Sequence, residues 1–336
     1  MGARTCSPEC ICAPTGTLPT KATDALLCLS VATGQPLALN CPCNEPPGDG
    51  PIGYVSATRS TAIIPGFLPG LPATISDDFS LGGIFNKITS NVAPPDVTQT
   101  VENIGGCTVT TTDSTQVIND NDPLPTVVNY DPGEPGDADN GTVSVDLERQ
   151  SSGGFESFAP QGDPLALGFD GDQDVAFSWP GGDDINAFAA SIGVPPNVEV
   201  TSPDLESSTF DVTPGDPVAV EWVPGSDDDG KLSVSVSSSI IEFTQGQGGS
   251  STIHSESVVI VCLFTDSAGS GTVPAAATEK LQDPVSLPLL YSKSFTALRA
   301  NGKDVGVTAP TAGGSRSVTF SGTSSVTRLL TSGFPF

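Results

Sequence analysis

The amino-acid sequence predicts a mainly β protein, in which a small Cys-rich and partly helical N-terminal segment precedes tandem β-sandwich domains. Gly and Pro account for 37 and 31 of the 336 residues, which favours many short strands joined by turns. Strong helix formers are scarce, since Lys and Arg together number 12 and there is a single Met. Apolar and polar residues alternate along several segments, as they do in strands with one buried face.

These patterns divide the chain into three predicted units. Residues 1–48 form the Cys-rich segment, residues 49–203 form a first β-sandwich domain with an irregular first part, and residues 204–336 form a second. An acidic connector spans residues 129–140 inside the first sandwich domain. Each predicted domain is long enough to bury a hydrophobic core of its own.

The net charge and the distribution of apolar residues indicate which classes of binding partner and which targeting segments to expect. The formal net charge is −27, with 39 Asp and Glu residues. Nucleic acid is therefore not an expected partner, because binding it requires Lys and Arg to neutralise phosphates. No apolar run reaches 18 residues, so we expect no transmembrane segment. The opening "MGARTCSPEC" lacks the apolar core of a secretory signal, so any export signal is expected to precede this numbering.

The eight cysteines predict disulfides and hence an extracellular or cell-surface location. Six fall in the N-terminal segment and two stand alone downstream: Cys6, Cys10, Cys12, Cys28, Cys41, Cys43, Cys107 and Cys262. The alternative is a zinc cluster, but the usual Cys-x-x-Cys pairs are absent and the chain has one His. The connectivity of the disulfides is left open by the sequence.

One helix is predicted in the N-terminal segment, over "KATDALLCLSVATG", with Thr23 or Asp24 as its N-cap. The run "ATDALLCL" followed by "ATGQPLALNCP" resembles a dockerin-type repeat, a calcium loop joined to a helix. The resemblance implies that the loop ends at Asp24. Ala13, Thr15 and Thr17 stand where that family has its acidic or amide ligands, so we expect disulfides rather than calcium to stabilise this loop.

The first sandwich domain contains an acidic loop, "VINDNDPLPTVV", between its strand candidates. Residues 119–123 resemble the calcium-binding linker of cadherin domains, which implies that Asp120 and Asp122 are calcium ligands. The alternative is a loop rich in Asx turns between two strands, and we expect this simpler structure.

Two similar segments, "DVAFSWPGGDD" and "PVAVEWVPGSDDD", predict equivalent strands that each end in a Trp. Alternate residues are expected to point into the core, namely Val175, Phe177 and Trp179 in the first copy and Val218, Val220 and Trp222 in the second. The next segment, "KLSVSVSSS", predicts a returning strand with Leu232, Val234 and Val236 inward. The aspartates between the second Trp strand and this strand are then the tip of a hairpin.

These aspartates have two interpretations. Polar residues are ordinary at a hairpin tip, so a solvated turn is expected. The alternative is a calcium ion held between two acidic loops, because alternate carboxylates on a loop suit that ion. Its ligands would be Asp227, Asp228 and Asp229 at the tip and Asp170, Asp172 and Asp174 in "DGDQD".

The strand predicted over residues 257–264, "SVVIVCLF", is apolar on both faces. It is expected to be either a central strand of a sandwich or part of an interface. Together with the two Trp strands, "NVEVTSP" and "VCLFTDSAGSGTVPAAA", it makes residues 141–336 resemble immunoglobulin-like or fibronectin-like domains. Such domains are typical of secreted, lipid-anchored or surface proteins of Gram-negative bacteria, particularly deltaproteobacteria. The resemblance implies an architecture and a location, not an activity.

No residue pattern predicts catalysis. His254 is the single His and lies in "STIHSES", where a half-buried or surface strand residue is expected. No Gly-x-Ser-x-Gly, phosphate loop or dinucleotide motif is present. Two Trp and three Tyr are few for a cleft that binds sugars.

The sequence therefore predicts a non-catalytic structural or adhesive protein outside the cell. We expect self-association into a fibre or surface layer, or binding to an extracellular protein or glycan, with no cofactor. The alternative function is a calcium-assisted module that binds a glycan or a protein. An unpaired strand edge, or the strand over residues 257–264, would provide the contact for assembly.

Overall fold

The computed structural model describes residues 52–65, 72–89, 95–119, 126–207, 210–225, 230–246, 250–282, 290–308 and 315–333. These described residues are mainly β, with 69% of them in strands, as the composition predicts. In the described ranges the helical elements are α1 (Ala275–Thr278) and a 3₁₀ turn (Asp266–Ala268), and no helix there is long and apolar enough to cross a membrane. The Cys-rich segment, its predicted helix and its dockerin-like loop lie outside these ranges.

The structure has eighteen strands in the described part of the chain. In chain order they are β1 (Gly53–Ile64), β2 (Thr74–Ile84), β3 (Asn86–Thr89), β4 (Asp96–Ile104), β5 (Cys107–Asn119), β6 (Thr126–Asn129), β7 (Gly136–Asp139), β8 (Ser144–Ser152), β9 (Phe155–Pro160), β10 (Gln173–Gly181), β11 (Asn186–Val194), β12 (Val200–Ser202), β13 (Val218–Trp222), β14 (Lys231–Gln245), β15 (Ser250–Thr265), β16 (Ser270–Val273), β17 (Leu290–Thr308) and β18 (Ser315–Gly333).

Thirteen strands form one mixed sheet in the order β11-β10-β7-β8-β9-β2-β1-β18-β17-β14-β15-β5-β4. All neighbours are antiparallel except β1 and β18, which are parallel from Gly53 opposite Val318 to Ile63 opposite Arg328. Strands β12, β13 and β16 form a small second sheet, and β3 pairs with β6.

The predicted tandem immunoglobulin-like sandwiches are not seen in the described strands. Strand β1 comes from the first predicted domain and β18 from the second, yet they are neighbours in the large sheet. Alternation of apolar and polar residues specifies which face of a strand is buried, but it does not specify the neighbouring strand. The predicted boundary between residues 203 and 204 stays a prediction.

Two hydrophobic cores lie on one face of the large sheet, which we call the inner face. The aromatic core is covered by β10 and β11, which fold back over β17 and β18. Its Trp179 stacks on Phe188 with ring centroids 5.3 Å apart and meets Phe85 edge-on at 5.1 Å. Strands β11 and β18 approach so closely that a Cβ at Gly322 would lie 2.2 Å from the Gly193 carbonyl oxygen, which excludes any larger residue there.

The aliphatic core lies between the small sheet and strands β5, β14, β15 and β17. Its members are buried residues that alternate along these strands, including Val109, Val218, Val220, Leu232, Val234, Val236, Val258, Ile260 and Phe295. Trp222 belongs to this core, and its indole N–H donates to the carbonyl oxygen of Asp266 at 2.9 Å. The inward alternation predicted for both Trp strands and for "KLSVSVSSS" is therefore confirmed.

The hairpin predicted after the second Trp strand is wrong. Strands β10 and β11 do form a hairpin, with Gly181 opposite Asn186. Strand β13, however, pairs with β12 and β16, whereas β14 belongs to the large sheet. The two Trp strands thus contribute to different cores, because β10 belongs to the large sheet and β13 to the small one.

The apolar strand predicted over residues 257–264 is part of β15, which lies between β14 and β5 in the large sheet. One face is covered, since Val258 and Ile260 are buried in the aliphatic core. The other face is not, because Val259 and Val261 are half-buried and Leu263 is 65% exposed. β15 is thus an interior strand of the large sheet with one apolar face uncovered in the described residues, and its predicted part in an interface stays a prediction.

A disulfide joins Cys107 of β5 to Cys262 of β15, which are directly opposite in the antiparallel register. Both residues are buried in the aliphatic core, and they are 155 positions apart in sequence. The bond therefore links two strands that only the folded chain brings together. The other six cysteines lie outside the described residues.

Three basic side chains are buried on the inner face near the aliphatic core: Lys293, Arg299 and Arg328. Arg299 forms an ion pair with Asp266, from Nε to Oδ2 at 2.8 Å and from Nη2 to Oδ1 at 2.9 Å. Its guanidinium also donates to the carbonyl oxygens of Asn197 and Val223.

Lys293 and Arg328 also donate to backbone carbonyls, in the chain segment between β11 and β13. The Lys293 ammonium donates to the carbonyl oxygen of Val212 at 2.9 Å, and Arg328 donates to that of Ser207 at 3.1 Å. Burial lowers the pKa of Arg328, although the carboxylate of Asp204 opposes the shift. Carbonyls of the segment that crosses the sheet from β11 to β13 are thus paired with cations, because buried backbone acceptors need donors.

We predict that removing the disulfide with the double variant Cys107→Ala and Cys262→Ala lowers the free energy of unfolding by about 2–4 kcal/mol. The bond closes a long loop, so its loss restores conformational freedom to the unfolded chain. Urea denaturation under non-reducing conditions measures the effect without changing the N-terminal cysteines. A loss below about 1 kcal/mol would show that the bond is not a major constraint.

We predict that Arg299→Met lowers the free energy of unfolding by about 3–5 kcal/mol, because it leaves the Asp266 carboxylate buried without its cation. The control is Lys303→Met on the same strand, where the side chain is exposed and a change within about 0.5 kcal/mol is expected. Equal stability of the two variants in thermal and urea unfolding would contradict this role for Arg299.

Candidate functional site

The loop predicted to hold calcium lies just before β10, and its three aspartates have different surroundings. Asp170 forms an ion pair with Arg59 of β1, with Oδ1 and Nη1 2.7 Å apart. Asp172 has a φ of 63° and is exposed, and Asp174 is exposed on β10. Asp170 is therefore paired with a cation that it shares with Asp77, whereas Asp172 and Asp174 are exposed to solvent.

Asp172 and Asp174 line a cavity of about 350 Å³. Its other walls come from residues 193–196 and from the Arg299–Asp266 ion pair. Gly225 and Gly230, which border the segment containing Asp227, Asp228 and Asp229, line the same cavity. Those three aspartates, together with Asp120 and Asp122, lie outside the described residues, so the calcium site stays a prediction.

The carboxylate with a resolved pKa shift in the described part of the chain is Asp131. Burial by itself would raise its pKa, but hydrogen bonds from the backbone N–H groups of Asp183 and Gly133, and from Arg149, bring the pKa below its usual value. Arg149 also forms ion pairs with Glu134 and Glu156. This network keeps Asp131 ionised, which suits a structural ion pair better than a general acid.

His254 lies within β15, with its side chain 33% exposed. Its Nε2 is 3.2 Å from Glu256 Oε1, and its Nδ1 is 3.6 Å from Asp113 Oδ1 on β5. In the described residues, these three form the one set of His, Cys, Asp or Glu whose ligand atoms all lie within 4.8 Å of one another. The pattern His-x-Glu on a strand places both side chains on one face, which is the sequence signal for this set.

The outward face of the large sheet is covered mainly by hydroxyl side chains, and we call it the hydroxyl face. Cross-strand pairing across β5, β15, β14, β17, β18 and β1 gives its members: Thr108, Thr110, Thr112, Ser114, Ser255, Ser257, Val259, Val261, Leu263, Ser233, Ser235, Ser237, Ser239, Ser292, Ser294, Thr296, Leu298, Thr323, Ser325, Thr327, Thr58 and Ser60.

Hydroxyls of this face are hydrogen-bonded to one another across strands. Ser237 Oγ lies 2.9 Å from Ser294 Oγ, and Thr296 Oγ1 lies 3.0 Å from Thr327 Oγ1. Thr323 makes a similar bond to a Thr of the parallel strand β1. Such pairs stabilise neighbouring strands and reduce the cost of moving the hydroxyls out of water.

None of the residues that form the hydroxyl face carries a charge, although the whole chain carries −27. On the six strands that form the face, the charged residues that share its outward side are Lys231 at the start of β14 and Asp304 on β17. Further outward carboxylates lie on other strands of the sheet, including Asp78 on β2 and Asp146 and Glu148 on β8. The negative charge of the protein is thus excluded from a broad face that could contact another surface.

Comparison of the sequence with protein-family models and with curated proteins found no match to either. Any inference about function therefore has to come from the chemistry of the described surfaces. Two of these surfaces are considered below, namely the uncharged hydroxyl face and the acidic cavity beside Arg299.

Proposed function

We propose that the protein is a non-catalytic structural or adhesive protein outside the cell, and that it assembles with further copies of itself through the hydroxyl face. The observation that carries the proposal is the lack of charged side chains among the residues of this face, in a chain of formal charge −27. Two such chains repel each other wherever carboxylates meet. Close approach is therefore least costly where neither copy presents one.

The chemistry of the face supports a contact between two sheets. Leu263 is 65% exposed, and Val259 and Val261 beside it are half-buried, so apolar area is available for burial. The paired hydroxyls can leave water without losing every hydrogen bond. Two copies facing each other would form an isologous contact of packed sheets about 10 Å apart.

Several observations support a location outside the cell. The Cys107–Cys262 disulfide joins distant strands, and such bonds persist in oxidising compartments. The acidic composition suits salty or calcium-rich surroundings. The resemblance of the sequence to secreted and surface bacterial proteins, with immunoglobulin-like and dockerin-like segments, agrees with this location and is part of the proposal.

We predict that Thr108→Glu, and separately Ser237→Glu, weakens self-association at least tenfold. Each places a carboxylate on the hydroxyl face, and in a symmetric contact the like charges oppose each other. Thr108 is exposed, so its variant is expected to fold normally. Sedimentation velocity over a range of concentrations, with electron microscopy of the non-reduced protein, measures association.

The matched control is Ser191→Glu, which adds the same charge at an exposed position of β11. It should associate as the parent does. Added salt should strengthen the association of the parent, because it screens the net negative charge. A parent that remains monomeric at high concentration and high salt would refute the proposal, as would equal weakening by Ser191→Glu.

The acidic cavity favours a second candidate function, a calcium-assisted module that binds a glycan or a protein. Asp172 and Asp174 are both exposed there, and hard oxygen ligands suit calcium. Arg299, the cation in the wall, is already paired with Asp266.

For this candidate we predict that Asp172→Asn with Asp174→Asn lowers calcium affinity at least tenfold in calorimetric titration. The control is Asp146→Asn, which removes an exposed carboxylate from β8. Equal effects of the two changes would mean that calcium binds only to the diffuse negative charge of the surface.

A further inference from the structure

The side chains around the single His form a second, separate constellation on the inner face. Asp113 and Glu256 are directly opposite each other on β5 and β15, and His254 is two residues from Glu256 on the same face. Glu242 of β14 is opposite His254. The imidazole therefore lies among carboxylates contributed by three neighbouring strands.

We propose that Asp113, His254 and Glu256 bind a divalent transition metal ion, and that Zn²⁺ matches this set of ligands. One ligand atom from each side chain lies within 4.8 Å of the other two. The Glu256 Oε1 to His254 Nε2 separation of 3.2 Å is close to the spacing of about 3.4 Å between two ligands of one tetrahedral Zn²⁺ ion. The proposal is independent of self-association, because it concerns residues on the opposite face of the sheet.

The nature of the donors separates this site from the predicted calcium loop. Calcium takes oxygen ligands almost exclusively, whereas imidazole nitrogen suits Zn²⁺ and its neighbours in the first transition series. The partial exposure of all three side chains leaves access for the ion and room for water as a further ligand.

Contacts beyond the three ligands hold Glu256 and His254 in place. The Gln282 amide donates to Glu256 Oε2 at 2.8 Å, which leaves Oε1 on the side of the imidazole. The main chain of Gln282 is itself anchored, since its N–H donates to Ser238 Oγ and its carbonyl accepts from the Tyr291 hydroxyl. Gln282 Oε1 is buried without a partner, so this amide is oriented toward Glu256 at some cost.

Each ring nitrogen of His254 has an oxygen near it. Thr115 Oγ1 is 3.2 Å from Nδ1, and Glu256 Oε1 is 3.2 Å from Nε2. With Nε2 binding the metal beside Glu256 Oε1, Nδ1 keeps the Thr115 hydroxyl as a hydrogen-bond partner that orients the ring. Such outer contacts are a regular feature of metal-binding histidines.

The test is calorimetric titration of the full-length, non-reduced protein with Zn²⁺, compared with Ca²⁺ and Mg²⁺. We expect one tight Zn²⁺ site per chain. His254→Gln and Glu256→Gln should each lower its affinity by at least about 10–100-fold. The matched control is Glu221→Gln on β13, an exposed glutamate whose change should leave the affinity as it is. Thermal unfolding without metal establishes that each variant is folded.

Absorption spectroscopy with Co²⁺ identifies the ligands, because nitrogen and oxygen donors produce no thiolate charge-transfer band. Visible d–d bands that His254→Gln abolishes would support the site. A thiolate band would assign the metal to cysteines and overturn the proposal. Zn²⁺ that binds no more tightly than Mg²⁺, or equally in all variants, would overturn it as well, since binding would then be diffuse attraction to an acidic surface.

Discussion

The buried ion pair between Arg299 and Asp266 is the contact on which the arrangement of the two sheets depends. Arg299 projects from the inner face of the large sheet, and Asp266 lies in the turn between β15 and β16. The same turn accepts a hydrogen bond from the Trp222 indole, and the Asp266 carboxylate accepts one from the Gly225 N–H. The small sheet is thus attached to the large one by a charge pair whose side chains are about 5% exposed or less. A buried pair of this kind adds little net stability, but it penalises any arrangement in which one partner is left alone.

The basic residues and the carboxylates are distributed unevenly between the two faces of the large sheet. Three of the 12 basic residues are buried on the inner face, where they pair with carbonyls of the segment between β11 and β13. Because these three side chains are buried, few Lys and Arg residues remain to balance the carboxylates at the surface. The hydroxyl face is the exception, since its residues have neither sign of charge. The protein surface is therefore strongly acidic except for the hydroxyl face, which is uncharged. The proposed assembly depends on this uneven distribution of charge.

Strand β15 contributes residues to the aliphatic core, to the hydroxyl face and to the proposed metal site. Val258, Ile260 and Cys262 are buried in the aliphatic core, and Val259 and Val261 belong to the hydroxyl face. Farther toward its start, where the small sheet no longer covers it, the inner face of the same strand presents His254 and Glu256. The disulfide and the pairing with β5 bring Asp113 to them. The proposed metal site therefore depends on the same register that aligns the two cysteines.

The sequence by itself determined the mainly β class, the strands that contain Trp179 and Trp222, and the inward side of each. These follow from local alternation, because a period of two residues assigns side chains to opposite faces whatever the partner strand is. The signal His-x-Glu was present in the sequence as well, but Asp113, the third member of the set, is 141 positions before His254 along the chain. Only the tertiary structure decided which strands are neighbours, that Cys107 pairs with Cys262, and that β13 and β14 belong to different sheets. Backbone hydrogen bonding is the same for every pair of strands, so the choice of partner depends on packing and buried charge across the whole chain.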